Sequence, residues 1–249
     1  MNMLFRRCIR KRYSLVSMAR LALQIVLGGE HRRSALLLWR APQGLFQPYG
    51  TTRDARYSSR LQWLSEFIVD EPETRILSFG CSTGEEVFSL ARYFTQAHIC
   101  GVDIEPGRIR DCWRRWRREG YPSRLAFKCA ANVESYQPES YELILSMAVF
   151  RHGALGGCPD QCSAWLRFSD FERVIIDFAR VLRPGGLLVI RHANFRFGDT
   201  QVAYLFECLQ RETFTDETEV TPIYGRDDHL LPGVRGDDGV YRKKPMDSD

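Results

Sequence analysis

The sequence has no run of about 18 uncharged apolar residues, the length a membrane-crossing helix needs, so no part of its 249 residues reads as a span. It has no second cysteine pair to complement Cys158 and Cys162. Their segment, Gly-Gly-Cys-Pro-Asp-Gln-Cys, therefore reads as a loop rather than half of a zinc site. Strong charge of either sign is missing too: 35 Lys/Arg against 31 Asp/Glu leave +4, too mild to imply a nucleic-acid partner. There are no internal repeats and no low-complexity tracts, which removes solenoids and linkers. The composition is 44% hydrophobic and 12% aromatic, enough to support a packed core, so disordered and fibrous classes are excluded. The length fits one α/β domain with an N-terminal extension.

Cys81, Cys100, Cys112, Cys129 and Cys208 fall within apolar patterns and read as small buried hydrophobes, which suits a reducing, cytoplasmic setting. The charge is unevenly spread. Residues 1–40 carry nine Arg/Lys against Glu30 alone, while the remainder holds 26 basic and 30 acidic residues. Within residues 1–28, Tyr13–Leu27 has apolar residues at near-helical spacing, and a signal peptide fits poorly because no clean cleavage site follows. This helix is expected to pack on the domain, the alternative being contact with an anionic membrane surface. Residues 41–56 carry Pro and Gly and read as a loop, so residues 1–56 form an extension and 57–249 the main domain.

Periodicity predicts a helix over Ser58–Val69 with Leu61, Leu64, Phe67 and Ile68 on one face. From Arg75 onward strands and helices alternate. Strands are expected at Arg75–Phe79, His98–Val102, Leu125–Cys129, Glu142–Leu145 and Leu187–Arg191. Helices are expected at Glu85–Tyr93, Pro106–Gly120 and Phe171–Leu182. Near-continuous apolar strands argue for an α/β, Rossmann-like sheet, mostly parallel and covered by helices on both faces. The tail carries Tyr224–His229, the Gly/Asp-rich run Gly233–Gly239 and then Val240–Lys244.

In such a sheet ligands sit beyond the carboxyl ends of the strands. The first strand–turn–helix reads Ser78-Phe79-Gly80-Cys81-Ser82-Thr83-Gly84-Glu85-Glu86, and about twenty residues on the second strand ends in Asp103, suited to ribose hydroxyls. A dinucleotide fingerprint would need small residues at Gly80, Ser82 and Glu85, and a carboxylate at the third position repels a pyrophosphate. No Gly-Lys-Ser/Thr follows, so a phosphate-binding loop fails as well. A carboxylate beside this turn suits a ligand carrying an ammonium and a sulfonium, and the adenosine cofactor of that kind is S-adenosylmethionine. Glu85 and Glu86 also suit a helix start through the dipole.

Ile76–Glu86 resembles the first motif of class I S-adenosylmethionine-dependent methyltransferases. Its Gly-Cys-Ser-Thr-Gly-Glu-Glu core is most similar to the chemotaxis-receptor glutamate methyltransferases. Gly101–Ile104 resembles the second motif, and Leu182–Ile190 the turn and strand after the fourth helix; the resemblance implies a seven-stranded sheet whose final antiparallel hairpin the tail could form. Two positions depart from the commoner pattern, Ser78 for an acid and Ser82 for the middle glycine, and both match the glutamate-methyltransferase variant. The resemblance implies that Gly80, Cys81, Ser82 and Gly84 approach the methionine moiety, with Glu85 or Glu86 at its amino group. It further implies Asp103 on the ribose, Ile104 against the adenine, Asn132 near adenine N6 and Met147 at the rim where the methyl lies.

For a hydroxyl or amine acceptor the protein must remove a proton, and histidine suits that role. His152 follows the fourth strand and His192 the fifth, so both are candidate bases. Arg151, Arg191 and Arg196 gather at the same rim, where a guanidinium suits an acceptor carboxylate or phosphate unless it pairs with acids such as Asp199 or Asp170. If the chain stays extended after the fifth strand, His192, Asn194 and Arg196 share one side. Arg108, Arg110, Arg114, Arg115, Arg117 and Arg118 share a helix with Ile109, Cys112, Trp113 and Trp116. The latter make the buried face and the arginines mostly the solvated one. The expected activity is methylation of a hydroxyl, amine or carboxylate on a small-molecule or glycan acceptor. Alternatives are a chemotaxis-type protein glutamate methyltransferase and a non-catalytic cofactor-binding scaffold.

Overall fold

Alternating apolar residues place Leu77, Ile144 and Leu188 on one sheet face and Ile76, Leu143 and Val189 on the other, and each set anchors its own core. A computed structural model describes residues 15–50, 58–211 and 221–245. Its strands are β1 (Arg75–Phe79), β2 (His98–Asp103), β3 (Leu125–Cys129), β4 (Tyr141–Met147), β5 (Leu182–Arg191), β6 (Phe206–Arg211) and β7 (Gly239–Lys243). They form one seven-stranded sheet in the order β3-β2-β1-β4-β5-β7-β6. β7 alone runs antiparallel to its neighbours. Strand order reverses between β1 and β4, which opens a crevice above their carboxyl ends.

The helices are α1 (Leu15–Leu27), α2 (Gly29–Arg40), α3 (Ser58–Leu64), α4 (Glu85–Tyr93), α5 (Pro106–Glu119) and α6 (Phe168–Val181). Phe171, Val174, Ile175 and Phe178 of α6 cover one face of the sheet. Leu61 and Leu64 of α3, Val87 and Phe88 of α4, and Ile109 and Cys112 of α5 cover the other. The fold is thus the expected Rossmann-like one.

Several boundaries differ from the expectation for local reasons. The helix expected over Tyr13–Leu27 spans Leu15–Leu27, with Tyr13 and Ser14 outside the described residues. α2 follows it, unforeseen, after Gly28 and Gly29, both at positive φ. The helix expected over Ser58–Val69 stops at Leu64, where Ser65 Oγ donates to the Gln62 carbonyl at 2.6 Å, and Phe67 is exposed rather than inward. α6 starts three residues early because Asp228 Oδ1 accepts the Phe168 N–H at 2.7 Å, a cap supplied from 60 residues away. β5 begins at Leu182, which pairs with Tyr141 before an irregularity carries the chain to the Leu143–Leu187 pair. Cys81 and Cys112 are buried as expected, but Cys129 and Cys208 lie at the surface, on edge strands that lack a covering layer there.

Candidate active site

The turn after β1 is held from below by β2, with the Gly80 and Cys81 N–H groups both donating to the Val102 carbonyl at 2.8 and 2.9 Å. Gly80 adopts φ +78, and a Cβ there would lie 2.3 Å from Val149 Cγ2, so only glycine lets the β4 loop close over this corner. Gly84 (φ +92) ends the turn, and its backbone caps α4. The two glutamates that open α4 part company. Glu85 accepts from Thr83 Oγ1 at 2.8 and 2.9 Å and lies 3.9 Å from Arg115. Glu86 turns toward the sheet and accepts from Ser78 Oγ at 2.7 Å; burial lifts its pKa to about 7 against the opposing Ser78 hydrogen bond.

Asp103, at the tip of β2, accepts the Ser82 N–H on Oδ2 and the Glu105 N–H on Oδ1, both at 2.9 Å. Burial raises its pKa, while nearby Arg108 and the two N–H groups act to lower it. Arg108 is the unexpected member. It was placed with the solvated arginines, yet it is 2% exposed. Nη2 donates to Glu30 Oε1 at 2.5 Å and to the Pro48 carbonyl at 2.6 Å, and Nη1 lies 3.6 Å from Asp103. The signal was present in the sequence: Arg108 precedes Cys112 by four residues and so sits on the buried stripe of α5.

These groups surround a cavity of about 380 Å³, within the range of small-molecule sites. It crosses the strand ends from Ala130 after β3, past Asp103 and Gly80, to Met147 and Arg151 at β4. Of the residues expected at the cofactor, Gly80, Cys81, Ser82, Glu85, Glu86, Asp103, Ile104 and Met147 line it. Gly84 packs instead toward Phe88 and Cys112, and Asn132 accepts the Glu134 N–H outside the lining. The outer wall comes from the extension, through Phe46, Tyr49 and Gly50. Phe46 meets Phe150 edge-on at 5.0 Å, and Ser82 Oγ donates to the Gly50 carbonyl at 3.1 Å. Sequence reasoning missed this wall, whose sole sign is the aromatic residues scattered through a Gly/Pro loop.

The expected catalytic side chains lie outside this cavity. His152 lines a neighbouring cavity of about 210 Å³, separated by Gly44, Leu45 and Phe46, which line both. Its Nδ1 accepts the Ala154 N–H at 3.2 Å, so the neutral ring carries its proton on Nε2. His192 sits at φ +54, and its backbone N–H donates to the Asp238 carboxylate. Arg196 is held on Asp199 by two bonds of 2.9 and 2.6 Å, which raise its pKa. Asn194 is buried as a clamp, accepting the His152 N–H at 2.9 Å and donating to the Pro222 carbonyl at 2.8 Å. Asp237 and Asp238 of the tail brace the same segment rather than covering the cavity. Among the described residues no cluster of His, Cys, Asp and Glu is placed to hold a metal ion.

A family model described as a methyltransferase domain matches residues 70–227. The chain belongs to this methyltransferase-domain family. S-adenosylmethionine is its cofactor, and the cavity fits that group: buried carboxylates at Asp103 and Glu86 suit a diol and a cation. The chain is 29% identical over 117 residues to the methyltransferase GfsG of Streptomyces halstedii, covering 47% of this chain and 36% of that protein. It is 25% identical over 155 residues to the trans-aconitate 2-methyltransferase of Deinococcus radiodurans, covering 59% and 51%. The chain thus spans about a third to a half of the curated relatives it matches. A geranyl diphosphate C-methyltransferase of Streptomyces coelicolor A3(2) aligns in three dimensions with TM-score 0.39 and 14% identity, covering 53% of this chain and 44% of that one.

Proposed function

We propose that this methyltransferase-family chain methylates a carboxylate on a small acidic acceptor. The carrying observation is the charge layout of the cavity, whose lining holds Asp103 and Glu86 at β2 and α4, Arg108 bound to Glu30 beside Asp103, and Arg151 past β4. In this reading Asp103 takes the ribose hydroxyls and Glu86, rather than Glu85, takes the amino group. When bound, S-adenosylmethionine supplies an electrophilic methyl carbon on a sulfonium. The chain's own work is then to hold and align two ligands and to keep water out behind Phe46 and Phe79.

Chemistry narrows the acceptor. No histidine lines the cofactor cavity among the described residues, and His152 lines the neighbouring cavity, where its Nδ1 accepts the Ala154 N–H. An ionised carboxylate needs no base, whereas a hydroxyl or an ammonium does. The relative named for trans-aconitate, a polycarboxylate, supports the same class. A protein glutamate acceptor is a second reading, favoured by the Gly80–Glu86 motif; neither curated relative named above carries a chemotaxis name.

The test is incubation with methyl-labelled cofactor, a panel of di- and tricarboxylic acids, and a cell extract. A methyl ester releases labelled methanol in mild base. Label in the small-molecule fraction that base releases is the expected result, and label in protein would move the acceptor to glutamate. Base-stable label would overturn the carboxylate reading, and cofactor binding without transfer would leave a scaffold.

A further inference from the structure

Among the described side chains of α1, Ala19, Ala22, Leu23, Val26 and Leu27 are exposed, while Ile25 is half-buried. Leu23, Val26 and Leu27 are 58%, 83% and 63% exposed, and Ala19 and Ala22 extend the same stripe at helical spacing. α2, which packs beside α1, adds Trp39 at 46% exposure. Isolated exposed apolar residues need no explanation, but a stripe on one helix does. The charge that precedes the stripe in the sequence is of one sign. Arg6, Arg7, Arg10, Lys11, Arg12 and Arg20 precede any acid, the first being Glu30.

We infer that α1 docks on an anionic lipid bilayer, lying along its surface. The occupant follows from charge and length. A second copy would bring two acid-free basic runs together, which repel, whereas an anionic leaflet neutralises them at about 1 kcal/mol per basic residue. Thirteen residues at about 1.5 Å each give roughly 20 Å, short of the roughly 30 Å hydrocarbon core, so the helix lies in the interface with its apolar face down. Its base is firm. Ser34, Ala35 and Leu37 of α2 are buried against the domain, and Arg33 of α2 is bound to Asp111 of α5 at 2.6 Å. α2 leads directly into the loop carrying Phe46 and Tyr49, so the docked face stands next to the cavity wall.

The experiment is co-sedimentation of the full chain with vesicles of phosphatidylcholine alone or with one-third phosphatidylglycerol, in low and high salt. Binding at least about tenfold stronger to the anionic vesicles, lost in high salt, is expected. L23Q/V26Q/L27Q should lower that binding about tenfold or more, because it removes the inserted apolar area. Tyr204→Gln, at a side chain 72% exposed on another part of the surface, should leave it unchanged. Both variants alter exposed positions, and melting temperatures check that they fold. Equal binding to both vesicle types, or none, overturns the inference. So does a dimer of the parent chain by light scattering that the triple variant abolishes.

Discussion

Arg108 of α5 and Glu30 of α2 lie 78 residues apart in the chain and meet at 2.5 Å against the cofactor cavity. Glu30 Oε1 also accepts the Gly50 N–H at 3.0 Å, and Arg108 reaches the Pro48 carbonyl, so one ion pair fastens the Pro48–Gly50 end of the outer wall. A Cβ at Gly50 would lie 2.5 Å from Arg108 Nε, which shows how closely the wall is laid over the guanidinium. The pair also lies beside Asp103, whose carboxylate is 3.6 Å from Nη1.

Arg108→Ala should therefore destabilise the fold by roughly 3–5 kcal/mol, the usual cost of stranding one partner of a buried pair, since Asp103 keeps its burial without a cation. Glu30→Gln should cost only about 1 kcal/mol because Glu30 is partly hydrated. Urea unfolding measures both. A smaller loss for Arg108→Ala than for Glu30→Gln would show that the arginine is not the anchor.

If Glu86 takes the cofactor's amino group, as proposed, cofactor affinity should depend on pH. Its carboxyl ionises near pH 7 rather than in the ordinary acid range, so it is largely neutral at pH 6 and charged at pH 8. Only the charged form attracts an ammonium, and affinity should rise from pH 6 to 7.5. Glu86→Gln should flatten that rise and weaken binding at pH 7.5. The stability sign is opposite: a raised carboxyl pKa favours folding as pH falls through 7 toward the unfolded value of 4.5. The ligand-free Gln variant should thus gain stability over the parent at pH 8 more than at pH 5. Calorimetric titration and thermal melts at those pH values decide both.

Asp103→Ala should weaken S-adenosylhomocysteine binding about tenfold or more, through lost charge-assisted bonds to the ribose. Part of the loss would come from the turn itself, because Asp103 also accepts the Ser82 N–H. Asp103→Asn keeps an acceptor for that N–H and separates the two effects. An unchanged dissociation constant in a folded Ala variant would remove Asp103 from the ribose site.

The sheet was legible in the sequence because its strands are nearly continuous apolar runs and its turns carry Gly80, Gly84 and Gly120 at positive φ. The cavity lining around β1 and β2 was legible for the same reason, since its motif residues are neighbours along the chain. What escaped depends on distance in sequence. α2 buries few large side chains and follows two glycines at positive φ. The Phe168 end of α6 is capped from Asp228, and no local pattern encodes that. The rim after β5 misled because period-two reasoning assumes an extended chain, whereas His192 turns left-handed and Asn194 points into a buried clamp.

That rim supplies the next test. At φ +54 a histidine holds a backbone conformation that glycine adopts without strain, so in His192→Gly the relief of that strain should offset part of what the lost side chain costs in stability. If His192 only shapes the turn, kcat should stay within about threefold; a base would lose about 10²–10⁴-fold. Arg196→Ala should behave like a lost surface pair, because Asp199 already occupies its fork.

Arg151 is where acceptor specificity should be read. In the proposed reading Asp103 and Glu86, on the β2 and α4 side of the cavity, meet the positive charge of the cofactor, and Arg151, which lines the cavity past β4, meets the acceptor's anion. The Tyr49 ring sits 3.6 Å from where a Gly153 Cβ would be, which narrows the opening on that side. Arg151→Gln should raise KM for a polycarboxylate acceptor about tenfold or more, with kcat and cofactor affinity within about threefold. Lysine keeps the charge but not the fork, and should recover only part of the loss. The discriminating measurement is KM for a matched pair of acceptors that differ by one remote carboxylate. The parent chain should separate them and Arg151→Gln should not. Equal discrimination in both would place the anion site elsewhere, with Arg167 of the neighbouring cavity as the next cation to change.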